Sequence, residues 1–307
     1  MSNVKNIGKI DVHAHATAFR EYHPPHRPED PDSVFVSAEQ VIEFYDKLGI
    51  EKGILLPIVS PEGQTAPMTS EAAKYLTVKY PDRFYWFCNV DPRAFPNKKD
   101  GNLKNLINHY KLLGAKGVGE VTSQIAFEDP KAQNLFSACE ECDMPVTIHI
   151  APTVNNGYGL LDELGLPGLE KTLKNHPNLK ILGHSQAFYS EISADVTAEN
   201  RDQYPTGPVK EGGRMVELMR RYPNLYCDLS AGSGSNALMR DPEFAARFIE
   251  EFSDRLMYAC DICHPTNTHP FPFADFLEKM LDDGKISEEN YVKLVRENAI
   301  RILKLGE

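Results

Sequence analysis

A chain of 307 residues, 41% hydrophobic and 25% charged, can bury a full core, either as one large α/β domain or as two smaller ones. Its net charge of −11 excludes a nucleic-acid binder held by phosphate contacts and disfavours an anionic membrane surface. No apolar run approaches the ~18 residues of a membrane span, and Met1-Ser2-Asn3-Val4-Lys5 lacks the apolar core of a signal peptide, so a soluble cytoplasmic protein is expected.

The first predicted strand carries Lys9-Ile10-Asp11-Val12-His13-Ala14-His15. Strand period 2 puts Asp11, His13 and His15 on one face, and two imidazoles so placed can aim at a common point, most often a divalent metal. A long proline-rich loop follows over 17–36, carrying His23 and His26. Ser37 and Gln40 form a capping-box signature for a helix over 38–48, which Gly49 ends, and strand two follows at 53–58.

The same unit then recurs. Helices are predicted at 70–80, 103–113, from 130, at 166–176, 209–222 and 244–252, and strands at 83–90, 116–121, 145–150, 179–184, 224–229 and 255–261. Further helices are predicted at 273–281 and 287–305. Eight short apolar strands at near-regular intervals, each followed by a helix, are the pattern of a (β/α)₈ TIM barrel, read here as one domain over 1–307 with long loops at 17–36 and 185–208.

In such a barrel the chemistry sits at the C-terminal strand ends. Those ends carry His13 and His15, Glu120, His149, His184 and Asp261, ionisable groups that would be costly to bury without partners. Imidazole and carboxylate converging from five strands suit zinc, iron, nickel or manganese. Two CxxC pairs, Cys139/Cys142 and Cys260/Cys263, raise a four-cysteine zinc site, but the first falls in a helix and the second at a strand end, so inert buried cysteines are the better expectation.

At these motifs the chain resembles the amidohydrolase superfamily, and within it amidohydrolase family 2, which includes metal-dependent TIM-barrel hydrolases and relatives of aminocarboxymuconate semialdehyde decarboxylase. The residues that carry the resemblance are Asp11-Val12-His13-Ala14-His15, Gly117-Val118-Gly119-Glu120, Thr147-Ile148-His149, Ile181-Leu182-Gly183-His184, Tyr258-Ala259-Cys260-Asp261 and the closing Glu297-Asn298-Ala299-Ile300-Arg301-Ile302-Leu303. The resemblance spans 9–305 and implies a barrel without the accessory β-domain of urease-like members. It implies that His13, His15, His149 and Asp261 hold one metal, most simply zinc, with nickel, manganese or iron as alternatives. His184 would serve a second metal or act on substrate and water. Glu120 stands where binuclear members carry a carboxylated lysine or, in TatD-like nucleases, a glutamate. The following Val121-Thr122-Ser123 departs from the nuclease pattern and disfavours a nuclease, and the lack of a lysine at the strand-four end favours one metal and leaves a second open.

The expected reaction is hydrolysis of a small amide, ester or lactone by metal-activated water, with Asp261 and His184 as catalytic residues. The alternative is non-oxidative decarboxylation of an unsaturated or aromatic acid on the same metal shell, with Arg20, Arg27 or Arg201 as candidate carboxylate partners. A non-catalytic metal-binding barrel is the third reading. The expected partner is a small-molecule substrate, with self-association left open. Among the loops, Asn155-Asn156-Gly157-Tyr158-Gly159 is a candidate pocket wall, and Tyr189, Glu191 and Tyr204 fall in a candidate lid. Ser230-Ala231-Gly232-Ser233-Gly234-Ser235 reads as a flexible loop, and His264 as a residue shaping the site.

Overall fold

The computed structural model of the protein describes residues 4–25, 29–30, 32–63, 68–154 and 157–306. The strands are β1 (Lys9–Ala14), β2 (Ile50–Leu55), β3 (Phe84–Trp86), β4 (Val118–Val121), β5 (Val146–Ala151), β6 (Leu160–Leu161), β7 (Ile181–His184), β8 (Leu225–Asp228) and β9 (Leu256–Met257). All pairings between them are parallel, in the orders β1-β2-β3 and β4-β5-β7-β8-β9, with β6 a short addition beside β5. Two bridges close the circle: Cys88 to Val118 joins β3 to β4, and Ala14 to Ile262 joins β1 to the chain after β9. The result is the (β/α)₈ TIM barrel, with its helices outside.

Local signals explain most boundaries. Ser37 accepts from the Gln40 N–H while the Gln40 side chain accepts from Ser37 N–H, and the helix Ala38–Leu48 stops at Gly49 with φ 67°. Asp129 caps Pro130–Glu141 and Asp241 caps Pro242–Phe252. The expected helix over 287–305 runs as Glu288–Val292, a π-turn Lys293–Glu297 and Asn298–Ile302. In that segment the Leu294 carbonyl accepts from Tyr258 N–H at 2.9 Å, which ties the last helix to the end of β9.

Two sequence expectations change, and the one for the cysteines holds. Residues 230–235 are not a flexible loop: Ser230 precedes the helix Ala231–Met239, whose Gly234 packs so close to the Leu229 backbone that a Cβ would meet it at 2.6 Å. The excursion 185–208 contains the helix Gln186–Ser190, and its Arg201 is 2% exposed, with Nη1–H donating to the Asp162 carbonyl at 2.8 Å. The two CxxC pairs do not meet. Cys139 and Cys142 end an outer helix, Cys260 and Cys263 lie at the barrel mouth, and all six cysteines are free thiols.

The apolar side chains divide in two. Ile10, Val12, Ile54, Leu56, Phe87, Leu182 and Met257 pack together, with Ile302 and Leu303 of the last helix against them. A larger cluster lies where the helices meet the strands, and buries Tyr45, Trp86 and Phe136. Among the described residues, no helix is long and apolar enough to cross a membrane.

Candidate metal centre

The centre begins with an irregularity in β1. Strict alternation keeps Asp11 on the face of His13, but the register against β2 shifts between Asp11 and Ala14. Asp11 instead meets the helix Ala38–Leu48, where the Tyr45 hydroxyl donates to it at 2.8 Å, and its other oxygen accepts from the N–H groups of His13 and Cys260, each at 2.9 Å. Burial pushes its carboxyl up to about 7. Asp11 thus ties β1 to the end of β9 and to the outer layer, while His13 and His15 converge on the centre.

The two imidazoles are fixed from behind. His13 Nδ1–H donates to Asp228 Oδ2 at 2.6 Å, and His15 Nδ1–H donates to the Leu56 carbonyl at 3.0 Å. Both Nε2 atoms therefore turn to the centre, 3.0 Å apart. Around them stand Glu120 Oε2, 3.7 Å from His13 and 3.6 Å from His15, and Asp261 Oδ1, 3.8 and 3.5 Å from the same nitrogens. His184 Nε2 lies 3.8 Å from both Glu120 Oε1 and Asp261 Oδ2, and Ser230 Oγ holds its Nδ1 at 2.9 Å. Two ligand clusters result, His13/Glu120/His184 and His13/His15/Asp261, sharing His13.

These residues fit a divalent cation. Ligands about 2.1 Å from a tetrahedral ion lie about 3.4 Å from one another, close to the spacings observed. Glu120 Oε1 is buried with no hydrogen-bond partner, which a cation would supply. The electrostatics agree. Burial disfavours the His13 imidazolium, but Asp228, Asp261 and Glu120 outweigh it and hold His13 well above the usual histidine range. Burial likewise disfavours the Glu120 carboxylate, yet His13 and His15 hold it well below its usual range. The cluster demands positive charge.

His149 enters from the end of β5, its ring 5.4 Å from that of His184, yet it belongs to neither ligand cluster. Burial lowers it to about 4, so the ring is neutral. The chain passes it closely at Gly159, where a Cβ would stand 2.8 Å from His149 Nδ1, and that nitrogen is buried without a partner. Tyr158 packs on the ring at 4.5 Å.

A cavity of about 190 Å³ opens at His15 and Asp261, walled by Phe35, Ile58, Glu62, Tyr158 and His264. His264 Nδ1 accepts from Thr266 N–H at 3.3 Å, which leaves its buried Nε2 as a donor without a partner. The candidate arginines divide: Arg201 pairs with buried Glu191 at 3.3 Å away from this wall, Arg20 does not line it, and Arg27 lies outside the described residues, as do His26, Asn155 and Asn156. His23 is absent from the wall as well, and Tyr189 braces the Asp228 carbonyl.

Sequence reasoning missed Asp228, Ser230 and Glu62. Asp228 had a signal, a carboxylate ending the buried strand Leu225–Asp228, since a ligating histidine usually needs such a partner. Ser230 and Glu62 sit in loops with no motif to mark them.

The Amidohydro_2 amidohydrolase family model matches residues 10–305. The chain belongs to the amidohydrolase family. No curated protein matches it. Solved structures with this amidohydrolase barrel include the 2,6-dihydroxybenzoate decarboxylase from Rhizobium, 18% identical, with a TM-score of 0.61 over 98% of this chain and 99% of that one. A probable 2-pyrone-4,6-dicarboxylic acid hydrolase from Acinetobacter baumannii is 14% identical, with a TM-score of 0.58 over 97% and 100%. A manganese-bound 5-carboxyvanillate decarboxylase from Novosphingobium aromaticivorans is 18% identical, with a TM-score of 0.54 over 99% of each chain. Family, barrel and buried cluster together make the protein a metal-dependent enzyme.

Proposed function

We propose that the protein is a metal-dependent, non-oxidative decarboxylase of a small planar acid, aromatic or unsaturated, with an oxygen substituent beside the carboxylate. The observation that carries this reading is the cavity at the metal centre. At about 190 Å³, with Phe35, Ile58 and Tyr158 on its wall, it suits one flat ring. Two of the three named barrels are decarboxylases of aromatic acids, which supports the same choice. Motifs alone favour hydrolysis; the cavity's apolar walls favour decarboxylation.

His13, His15, Glu120 and Asp261 would hold the ion, with His184 beside it and His149 as the outer imidazole. When bound, the ion would supply a positive charge that orients the substrate carboxylate and favours the ionised form of its neighbouring oxygen, whose electrons make the ring carbon easier to protonate. Zinc and manganese both suit this mixed set of imidazole nitrogens and carboxylate oxygens. Phe35 and Tyr158 then fix the plane of the ring. His184, oriented by Ser230, is placed to take up a proton and pass it to Asp261 Oδ2, 3.8 Å away. Asp261 delivers that proton to the ring carbon that bears the carboxylate. The C–C bond to the carboxylate then breaks, its electron pair restores the π system, and carbon dioxide leaves.

The test incubates metal-loaded protein with 2-hydroxybenzoates in deuterated water. Carbon dioxide release, with deuterium at the carbon that lost the carboxylate, is the expected result. Water oxygen in the product of an ester or lactone, with no carbon dioxide from any acid, would replace this reading with hydrolysis.

A further inference from the structure

Glu62 belongs to the turn Pro61–Gly63 and shares the cavity wall with His15 and Asp261. Arg93 clamps it: Nη1 donates to Oε1 at 2.7 Å and Nη2 to Oε2 at 2.8 Å. The same guanidinium holds Asp91 through Nε at 2.8 Å and Nη2 at 2.6 Å, and Gln124 N–H donates to Glu62 Oε1 at 3.2 Å. Arg93 holds the Glu62 carboxyl below its usual range, so it is ionised. Two carboxylates share one guanidinium, and the wall is net negative. Among the described residues, Oε1 accepts from two donors and Oε2 from Arg93 alone, so Oε2 of this wall residue can accept one more hydrogen bond.

We infer that Glu62 is a specificity-determining residue, which accepts a hydrogen bond from a hydroxyl or amino group of the substrate and repels a second carboxylate at the same place. The substrate class is then a planar monocarboxylic acid with a hydrogen-bond donor on the part of the ring that reaches Glu62. Mutual repulsion of two carboxylates in a desolvated cavity is stronger than at a wet surface, because the dielectric is lower. This inference takes from the proposed reaction only the placement of the first carboxylate at the metal centre.

The test is calorimetric binding to the metal-loaded protein, independent of turnover. The probes are 2-hydroxybenzoate, the 2,3-, 2,4- and 2,5-dihydroxybenzoates, and 4-hydroxybenzene-1,3-dicarboxylate. The dicarboxylate is expected to bind about tenfold more weakly than 2-hydroxybenzoate, and one dihydroxy isomer more tightly. In Glu62→Gln the dicarboxylate penalty should shrink to within about twofold. A measurement free of any variant backs it: raising ionic strength from about 0.02 M to about 0.5 M should leave most of the same gap in the native protein, because salt screens a desolvated pair far less than a surface one. Equal binding of mono- and dicarboxylate, or a penalty unchanged in Glu62→Gln, overturns the assignment, and failure of every probe to bind rejects the substrate class. Binding penalties without carbon dioxide release would refute the proposed reaction while leaving Glu62 in its role.

Discussion

The two ends of the barrel both carry ionisable side chains and use them in opposite ways. At the N-terminal end, Lys116 and Lys180 donate to the carbonyls of Lys304 and Ile302 at the tail of the last helix, Lys111 donates to Cys142 at the end of another, and Lys304 pairs with Asp143. His176, in the turn before β7, has Glu140 on one nitrogen and Gln133 on the other. Every one of these groups has a partner. At the C-terminal end, Glu120 Oε1, His149 Nδ1 and His264 Nε2 are buried with none, and two imidazole nitrogens face each other at 3.0 Å. Polar groups left unsatisfied in a folded interior are costly, so a cluster of them beside facing imidazoles marks the end that binds something.

Substitution should separate the two ends most sharply. His13→Ala or Asp261→Asn is expected to lower kcat/KM by at least about a thousandfold and to abolish metal uptake measured by elemental analysis. At the opposite end, His176→Ala should leave kcat/KM within about threefold and cost about 1 kcal/mol in urea unfolding. If His176→Ala proved as damaging to turnover as His13→Ala, the contrast between the ends would fail. Asp228→Asn ranks next: it keeps the shape but weakens the grip on His13 Nδ1–H, and should cost about 10- to 100-fold in metal affinity.

How much of this was legible in the sequence follows the same division. Helices read well because caps announce them, as at Ser37 and Asp129, and the strand ends His13, His15, Glu120, His184 and Asp261 read well because ionisable residues close apolar runs. Asp11 misled because period 2 assumes an unbroken ladder, and the register shift in β1 is set by pairing with β2, a contact between distant parts of the chain. The helix Ala231–Met239 was hidden by its own composition, since Ala231-Gly232-Ser233-Gly234-Ser235 has low helix propensity and only close packing, of Gly234 on Leu229 and of Gly232 on Tyr204, explains those glycines. Glu62 and Arg93 lie 31 residues apart, with nothing in either segment to forecast their ion pair.

Removing the metal should destabilise the protein through its C-terminal end. A ligand at about a hundred times its dissociation constant stabilises the native state by about 2.7 kcal/mol. A chelator should therefore lower the Tm of the native protein, and added zinc or manganese should restore it. His13→Ala should show neither response.

Acid should find the same end through the Arg93 clamp. Arg93 holds Glu62 below the usual carboxylate range, and at Asp91 it outweighs the upward push of burial. A depressed carboxyl contributes stability that is present above its unfolded value, near pH 4, and is lost as the pH falls through the folded value. Urea midpoints should thus fall as the pH drops below about 4, and less steeply in Arg93→Gln, which has no guanidinium to lose. An identical slope in the two proteins would assign the acid sensitivity to other carboxyls.

The smallest effect belongs to the N-terminal end. Lys304 and Asp143 form an ion pair with side chains 45% and 56% exposed, where water screens the attraction and the long lysine side chain loses freedom to make it. Lys304→Ala should change unfolding free energy by less than about 1 kcal/mol and leave kcat/KM unchanged. Its backbone carbonyl, which accepts from Lys116, survives the substitution, so the tail of the last helix keeps its cap. A loss of several kcal/mol would mean that the lysines act as one network rather than as separate caps, and the double substitution Lys304→Ala with Lys180→Ala would then show strong non-additivity.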